Sequence, residues 1–202
     1  MFGSSNELPK LRRSSSGASD TRLLWALLTL TGLALGAGLY ESRVVIPQWA
    51  ARPTPKEVGP ALERSGHLAS GREFWPLVGV PIVPLAVANV RQALRSEGPR
   101  RPWWLAFSTT IAVACVATAG YFVPALHQLA HAEDLPEARV RTLVSRRVRL
   151  DHLRMAVGAV AWLAGLKALA QPDARRQEGT RSALQLLRPS WMARLLASRK
   201  ES

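Results

Sequence analysis

Cysteine is almost absent from this sequence, and Cys115 stands alone inside an apolar run. A single cysteine cannot form an intramolecular disulfide or build a cysteine metal cluster. The sequence also contains no Walker loop, GxGxxG, nucleophile elbow, HExxH or CxxC pattern. The signatures of common hydrolases, nucleotide-binding proteins and redox proteins are therefore missing, and motifs alone identify no reaction.

Acidic residues are scarce: 14 Asp and Glu stand against 27 Lys and Arg, giving a formal net charge of +13. So large a positive excess is typical of nucleic-acid-binding proteins. Here, however, the arginines fill the connections between apolar runs and are not interleaved with aromatic residues as nucleic-acid modules require. The distribution predicts contact with the lipid bilayer and its anionic headgroups, and no nucleic-acid partner.

Four apolar runs approach the roughly 20 residues that a helix needs to cross a bilayer. The predicted spans are residues 23–40, 74–90, 103–126 and 152–170. The fourth is the weakest, because only residues 155–166 are uncharged, and it requires Arg154 and Lys167 to snorkel toward opposite headgroup regions. The sequence thus predicts an all-α fold, a four-helix transmembrane bundle spanning residues 23–170.

The first apolar run has two interpretations. A basic segment precedes it and small residues end it, which is also the pattern of a secretory signal peptide. Three further apolar runs follow, and Gly32 and Gly36 form a GxxxG pattern suited to helix packing. We therefore expect the helix to be retained, and this glycine pair is a candidate contact for a homo-oligomer or a membrane partner.

The polar segments outside the four predicted spans differ in composition and in predicted structure. Residues 1–22 are rich in serine and basic residues and predict a disordered tail. Residues 137–151 and 171–202 carry apolar residues at helical spacing among many arginines. They predict basic interfacial helices before the fourth span and at the C-terminus.

Arginine also predicts the orientation of the chain. Arg91, Arg95, Arg100 and Arg101 crowd the shortest connection between spans. Because positive charge in short connections stays on the cytoplasmic side, we expect a multi-pass protein of the cell (inner) membrane with both termini in the cytoplasm.

Four spans bring the end of the first helix, the start of the second, the end of the third and the start of the fourth to one membrane face. That face collects a rich set of titratable side chains: Glu41, Arg43, Arg72, Glu73, Tyr121, His127, His131, Asp151, His152 and Arg154. Convergent polar groups of this kind make the face the expected functional site.

Individual residues of this face allow a functional and a structural interpretation. His127 and His131 are four apart and would share a metal on a helix, or they are only interfacial polar residues past the end of the third span. Glu41 is a candidate general base or a simple ion-pair partner of a nearby arginine. Arg154 lies just inside a span, where burial of a charged side chain in hydrocarbon costs free energy. Such an arginine is expected to have an ion-pair partner, to bind a ligand, or to extend its side chain to the headgroup region.

Three stretches resemble the anthrone-oxygenase-like family of small four-helix membrane proteins. They are residues 38–49 (GLYESRVVIPQW), 121–124 (YFVP) and 149–154 (RLDHLR). The likeness covers roughly residues 23–170, and Asp151 stands where the family pattern has asparagine. Most members have no known function, and some relatives are implicated in oxidising anthrones to anthraquinones with molecular oxygen and no evident cofactor.

The resemblance implies a cofactor-independent oxygenase that acts on an anthrone-like phenolic substrate. In that hypothesis Glu41 or His152 is the base, Arg154 stabilises the phenolate, and Tyr121 and Asp151 contact the substrate. No cofactor or metal is expected. The alternative is a non-catalytic membrane protein that packs against a partner or binds anionic lipid. A cavity reaching Glu41 and Arg154 would favour the enzyme, and a solidly packed bundle would favour the partner.

Overall fold

The computed structural model describes residues 15–51 and 54–171, with side chains from Thr21 onward. Within these ranges the chain is helical and has no β-strand. The elements are α1 (Ser15–Tyr40), a π-helical turn (Glu41–Val45), α2 (Ile46–Ala50), α3 (Pro55–Arg64), α4 (His67–Arg95), α5 (Arg100–Ala117), a second π-helical turn (Thr118–Phe122), α6 (Val123–Ala130) and α7 (Glu137–Ala170). The all-α prediction is confirmed for this part of the chain.

Four helical segments are long and apolar enough to cross a membrane. They are Thr21–Ala50, His67–Arg95, Arg100–Ala130 and Glu137–Ala170, and each contains one predicted span. α1 begins at Ser15, so the end of the predicted tail is helical, whereas the predicted C-terminal helix lies outside the described residues. The four helices indicate a multi-pass membrane protein.

Large apolar side chains cover much of the outer surface. Leu77 is 76% exposed, Val116 is 73% exposed and Val160 is 67% exposed, and these residues come from three different spans. So many unpartnered aliphatic side chains around a bundle suit hydrocarbon and not water. The exposed surface therefore supports the membrane assignment independently of hydropathy.

The spans pack around a bundle core in which all four long helices take part. Its buried members include Leu24, Leu27, Ile82, Ala86, Trp104, Phe107, Ala161 and Ala168. At one end of this core Asn89 is fully buried, donates to the carbonyls of Leu23 and Leu85, and accepts from Trp104 Nε1 at 2.8 Å. One amide side chain thus links α1, α4 and α5, as interhelical polar contacts do in membranes.

Gly32 of the GxxxG pair packs inside the chain. A Cβ at this position would lie 3.1 Å from Nε1 of Trp162, which donates to the Leu28 carbonyl. Gly36 has no atom within 4 Å of a Cβ position. Gly32 therefore joins α1 to α7 of the same chain, and only Gly36 is left facing outward.

A second core lies at the other end of the bundle. It joins α2, α3, α6 and the start of α7, and we call it the cap core: Val45, Ile46, Trp49, Val58, Leu62, Leu129, Ala132, Val140 and Val144. The sequence predicted a separate interfacial helix before the fourth span. The structure instead has one continuous α7, because no Pro or Gly interrupts residues 137–157, and the apolar side chains of its first half are buried in the cap core.

Candidate functional site

Both π-helical turns lie beside the cap core, and each precedes a proline. The first turn is followed by Pro47 and the second by Pro124. A proline lacks the N–H that would bond the carbonyl four residues earlier, and its ring clashes with that carbonyl. The residues four before the prolines are Arg43 and Gly120, the middle residues of the two turns. The helix widens there, as π-bulges at functional sites do.

The first π-turn directs two side chains inward. The Glu41 carboxylate accepts from Ser70 Oγ at 2.6 Å and from Trp75 Nε1 at 2.9 Å, both on its Oε1. Ser42 is buried and donates to Asp151 Oδ2 at 2.8 Å. The turn therefore connects α1 to α4 through Glu41 and to α7 through Ser42.

Arg147 is buried among three helices. Its guanidinium donates to the Phe122 carbonyl of the second π-turn at 2.9 Å and to His67 Nε2 at 3.1 Å. A guanidinium is only a donor, so Nε2 of His67 is the acceptor and the proton of the neutral ring sits on Nδ1. Nδ1 lies 3.7 Å from Glu41 Oε1, in ion-pair range but beyond a hydrogen bond.

Asp151 and Arg154 complete the network. Arg154 donates to Asp151 Oδ1 at 2.7 Å, and its guanidinium lies 4.8 Å from the centre of the Phe122 ring. Two carboxylates thus face two guanidinium groups. This balance of charge makes the burial of Arg147 and Asp151 tolerable at the end of a membrane bundle.

A cavity of about 510 Å³ opens onto this network. Its wall includes Glu41, His67, Arg147 and Arg154, together with Trp75. The volume falls in the range of roughly 300–1,000 Å³ typical of small-molecule sites. Nε of Arg147 and Nε of Arg154 are buried without a hydrogen-bond partner among the described residues. The cavity wall therefore carries both a carboxylate and guanidinium groups, which suits a polar group on a ligand.

The structure brings some of the predicted residues together and separates others. Glu41 and Arg154 line the cavity, and Asp151 lies behind them as their neighbour in the network. His152 is exposed and does not line this cavity. Tyr121 stacks under Arg146, away from the cavity, and its buried hydroxyl has no partner among the described residues.

His127 and His131 lie at the rim of the cavity. Their rings stack at 4.6 Å, and Nδ1 of His131 lies 3.0 Å from the His127 carbonyl. Within the described part of the chain, no group of three or more His, Cys, Asp or Glu side chains is placed to hold a metal ion. Ring stacking with a backbone contact matches the interfacial interpretation of this pair.

Sequence reasoning missed His67, Arg147, Ser42, Ser70 and Trp75. Arg147 had a usable signal, because it precedes Asp151 by four residues and Arg154 by seven, which places all three on one helical face. His67 carries no such signal. Its role depends on how the short connection before α4 places the start of that helix against Arg147. No pattern in the sequence predicts this placement.

Comparisons with protein-family models, with curated proteins and with solved structures give no match to this chain.

Proposed function

We propose that this chain is a membrane-embedded, cofactor-independent oxygenase that deprotonates a lipophilic phenolic substrate of the anthrone class and directs it to molecular oxygen. The observation that carries the proposal is the cavity whose wall includes the Glu41 carboxylate together with the side chains of Arg147 and Arg154. A protein that acts only by packing against a partner has no need of a cavity bearing charged groups.

Glu41 is the proposed base. Both of its hydrogen bonds end on Oε1, so Oε2 is the oxygen left to take a substrate proton. The hydrogen bonds hold the carboxylate in one position, as catalytic geometry requires. Removal of a proton from the methylene carbon of the anthrone leaves a delocalised, phenolate-like anion. The guanidinium of Arg154, which lines the cavity, is the proposed donor to the oxygen of this anion.

The chemistry balances with oxygen as the only co-reactant. The delocalised anion gives its electron pair to O₂ at the ring carbon and forms a peroxide after protonation. Loss of the remaining hydrogen on that carbon breaks the O–O bond and releases water. The methylene carbon becomes a carbonyl, so one anthrone and one O₂ give one anthraquinone and one water. The protein supplies the base, the donor to the anion and the cavity that holds the substrate.

The test follows anthraquinone formation and oxygen consumption by purified protein under air, after subtraction of the uncatalysed rate. We expect Glu41→Gln and Arg154→Ala each to lower the rate by about 100-fold, because each removes a group that acts in the transition state. The matched controls Glu73→Gln and Arg149→Ala change exposed residues of the same region and are expected to keep the wild-type rate.

His152→Ala separates the two base candidates that the sequence proposed. Since His152 is exposed and lies off the cavity wall, we expect this variant to react like wild type. Wild-type rates in Glu41→Gln and Arg154→Ala would overturn the proposed roles. A rate that fell only in His152→Ala would move the base to that residue.

We also propose that the protein lies in the inner cell membrane with both termini in the cytoplasm. The support is the basic cluster around the connection between α4 and α5. On the opposite face Arg147 is buried in the polar network and Arg141 pairs with Glu137, so fewer free cations remain there than the sequence suggests. This orientation places the cavity on the extracytoplasmic side.

A further inference from the structure

A second cavity of about 400 Å³ lies deeper in the bundle, next to the first. Six residues line both cavities: Gly71, Trp75, Gly79, Thr118, Val123 and Arg154. The wall of the second includes Leu35, Ile82, Ile111, Cys115 and Met155, and among the residues that the structure describes Arg154 is the only charged one that lines it. The two cavities are therefore adjacent, with charged residues in the wall of the first and mainly apolar residues in the wall of the second.

Two glycines of α4, on either side of Trp75, leave room for this space. Gly71, Trp75 and Gly79 recur every four residues and so share one helical face. Among the described residues, no atom lies within 4 Å of a Cβ position at Gly79, so the Cβ would enter open space beside both cavities. A larger side chain at Gly79 would extend into that space.

The second cavity opens sideways. Val80, Val83 and Val123 line the second cavity, and they are 67%, 49% and 60% exposed on the outer surface of the bundle. Val80 and Val83 lie on α4, and Val123 lies at the start of α6, after the second π-turn. That surface is the one that faces hydrocarbon, so the opening between α4 and α6 faces the bilayer and not water.

We propose that one amphiphilic molecule occupies both cavities, with a phenolic hydroxyl at Arg154 and an apolar ring body between α4 and α6, and that it enters directly from the bilayer. The proposal rests on the proposed function for the chemistry of the head group. It adds the position of the ring body between α4 and α6 and the route by which the substrate reaches Glu41.

The binding test uses 1,8-dihydroxyanthraquinone as the probe, a lipophilic phenol whose central carbons are already carbonyls and cannot be oxidised further. Binding to protein in lipid nanodiscs is measured at equilibrium for wild type, Gly79→Leu and Gly36→Leu. We expect Gly79→Leu to weaken binding by about tenfold or more, because its side chain takes the place of the ring body. Gly36→Leu also fills open space but lines neither cavity, and it is expected to bind like wild type.

Helicity and monodispersity of both leucine variants are checked first, and Gly79→Val is the smaller substitute if Gly79→Leu does not fold. Unhindered binding in a folded Gly79 variant would overturn the shared-cavity proposal. Equal binding of 1,8-dihydroxyanthraquinone and of unsubstituted anthraquinone would overturn the role of the hydroxyl at Arg154.

Cys115 reports the route of access, because it is the only cysteine and lines the apolar cavity. In nanodiscs, we expect a maleimide that partitions into lipid to label Cys115. A charged maleimide confined to water is expected to label Cys115 at least about tenfold more slowly. Bound 1,8-dihydroxyanthraquinone is expected to protect Cys115 from labelling. Equally fast labelling by both reagents would overturn the bilayer route.

These measurements involve no turnover, so they separate the two proposals. Probe binding that Gly79→Leu blocks, without anthrone oxidation by wild type, would overturn the oxygenase and support the amphiphile site. Anthrone oxidation that Gly79→Leu leaves unchanged would support the oxygenase and overturn the amphiphile site.

Discussion

Arg147→Met is expected to lower the free energy of unfolding by about 3 kcal/mol or more. The side chain is 7% exposed and holds the Phe122 carbonyl and His67 Nε2 together. Methionine has a similar length but donates no hydrogen bond, so the Phe122 carbonyl and His67 Nε2 stay buried without a donor. Asp151 and Glu41 also lose a nearby cation. The loss is measured by denaturant unfolding in detergent micelles, followed by circular dichroism.

Arg147→Lys and Arg149→Met are the matched comparisons. Lysine keeps the charge but has no planar fork to reach both acceptors, so an intermediate loss is expected. Arg149 is exposed on the same helix, and its replacement is expected to change stability by no more than about 0.5 kcal/mol. An Arg147→Met protein as stable as the Arg149→Met protein would show that the network does not hold the helices together.

Gly165→Leu is expected to destabilise the bundle by about 3 kcal/mol, because it overpacks a contact among three helices. A Cβ at Gly165 would lie 2.7 Å from Cδ2 of Leu28 on α1 and 2.9 Å from the ring of Phe107 on α5. Both neighbours belong to the bundle core, so α7 must move away from α1 and α5 to admit the side chain.

Gly36→Leu is the control for this effect, since it adds the same side chain at a helical position with no atom within 4 Å. The two variants are compared by the same unfolding measurement, and the control is expected to stay within about 0.5 kcal/mol of wild type. Equal stability of the two variants would contradict the packing of α7 against α1 and α5.

The spans were predictable because hydrocarbon imposes a simple requirement of length and apolarity on each helix. Each predicted span lies inside an observed helix, and Arg154 and Lys167 are accommodated at the ends of the fourth. Lys167 lies 3.8 Å from the centre of the Trp103 ring, which gives its charge a partner. The set of helix ends that share one membrane face was also predictable. Consecutive spans run in opposite directions, so the end of one span and the start of the next lie at the same face.

The arrangement within that face was less predictable. Glu41 and Arg154 were recognisable as site candidates because a charged residue at the end of a span costs free energy. Both residues line the cavity. His67 and the basic start of α7 did not stand out. Their roles come from the cap core, which buries Val140 and Val144 and so turns Arg147 inward. A pattern of arginines and valines is equally typical of an interfacial helix, and only tertiary packing distinguishes the two.

The central claim is that α4 crosses a membrane and places Glu41, Arg147 and Arg154 on one face of it. The most direct test introduces Glu63→Cys and Glu97→Cys separately into a Cys115→Ser background. Both glutamates are exposed, and they lie just beyond opposite ends of α4. In spheroplasts of an expressing bacterium, a membrane-impermeant maleimide is predicted to label the Glu63→Cys protein at once and the Glu97→Cys protein only after lysis. The reverse pattern would keep the span and invert the orientation. Equal labelling of both variants before lysis would contradict the membrane-spanning account itself.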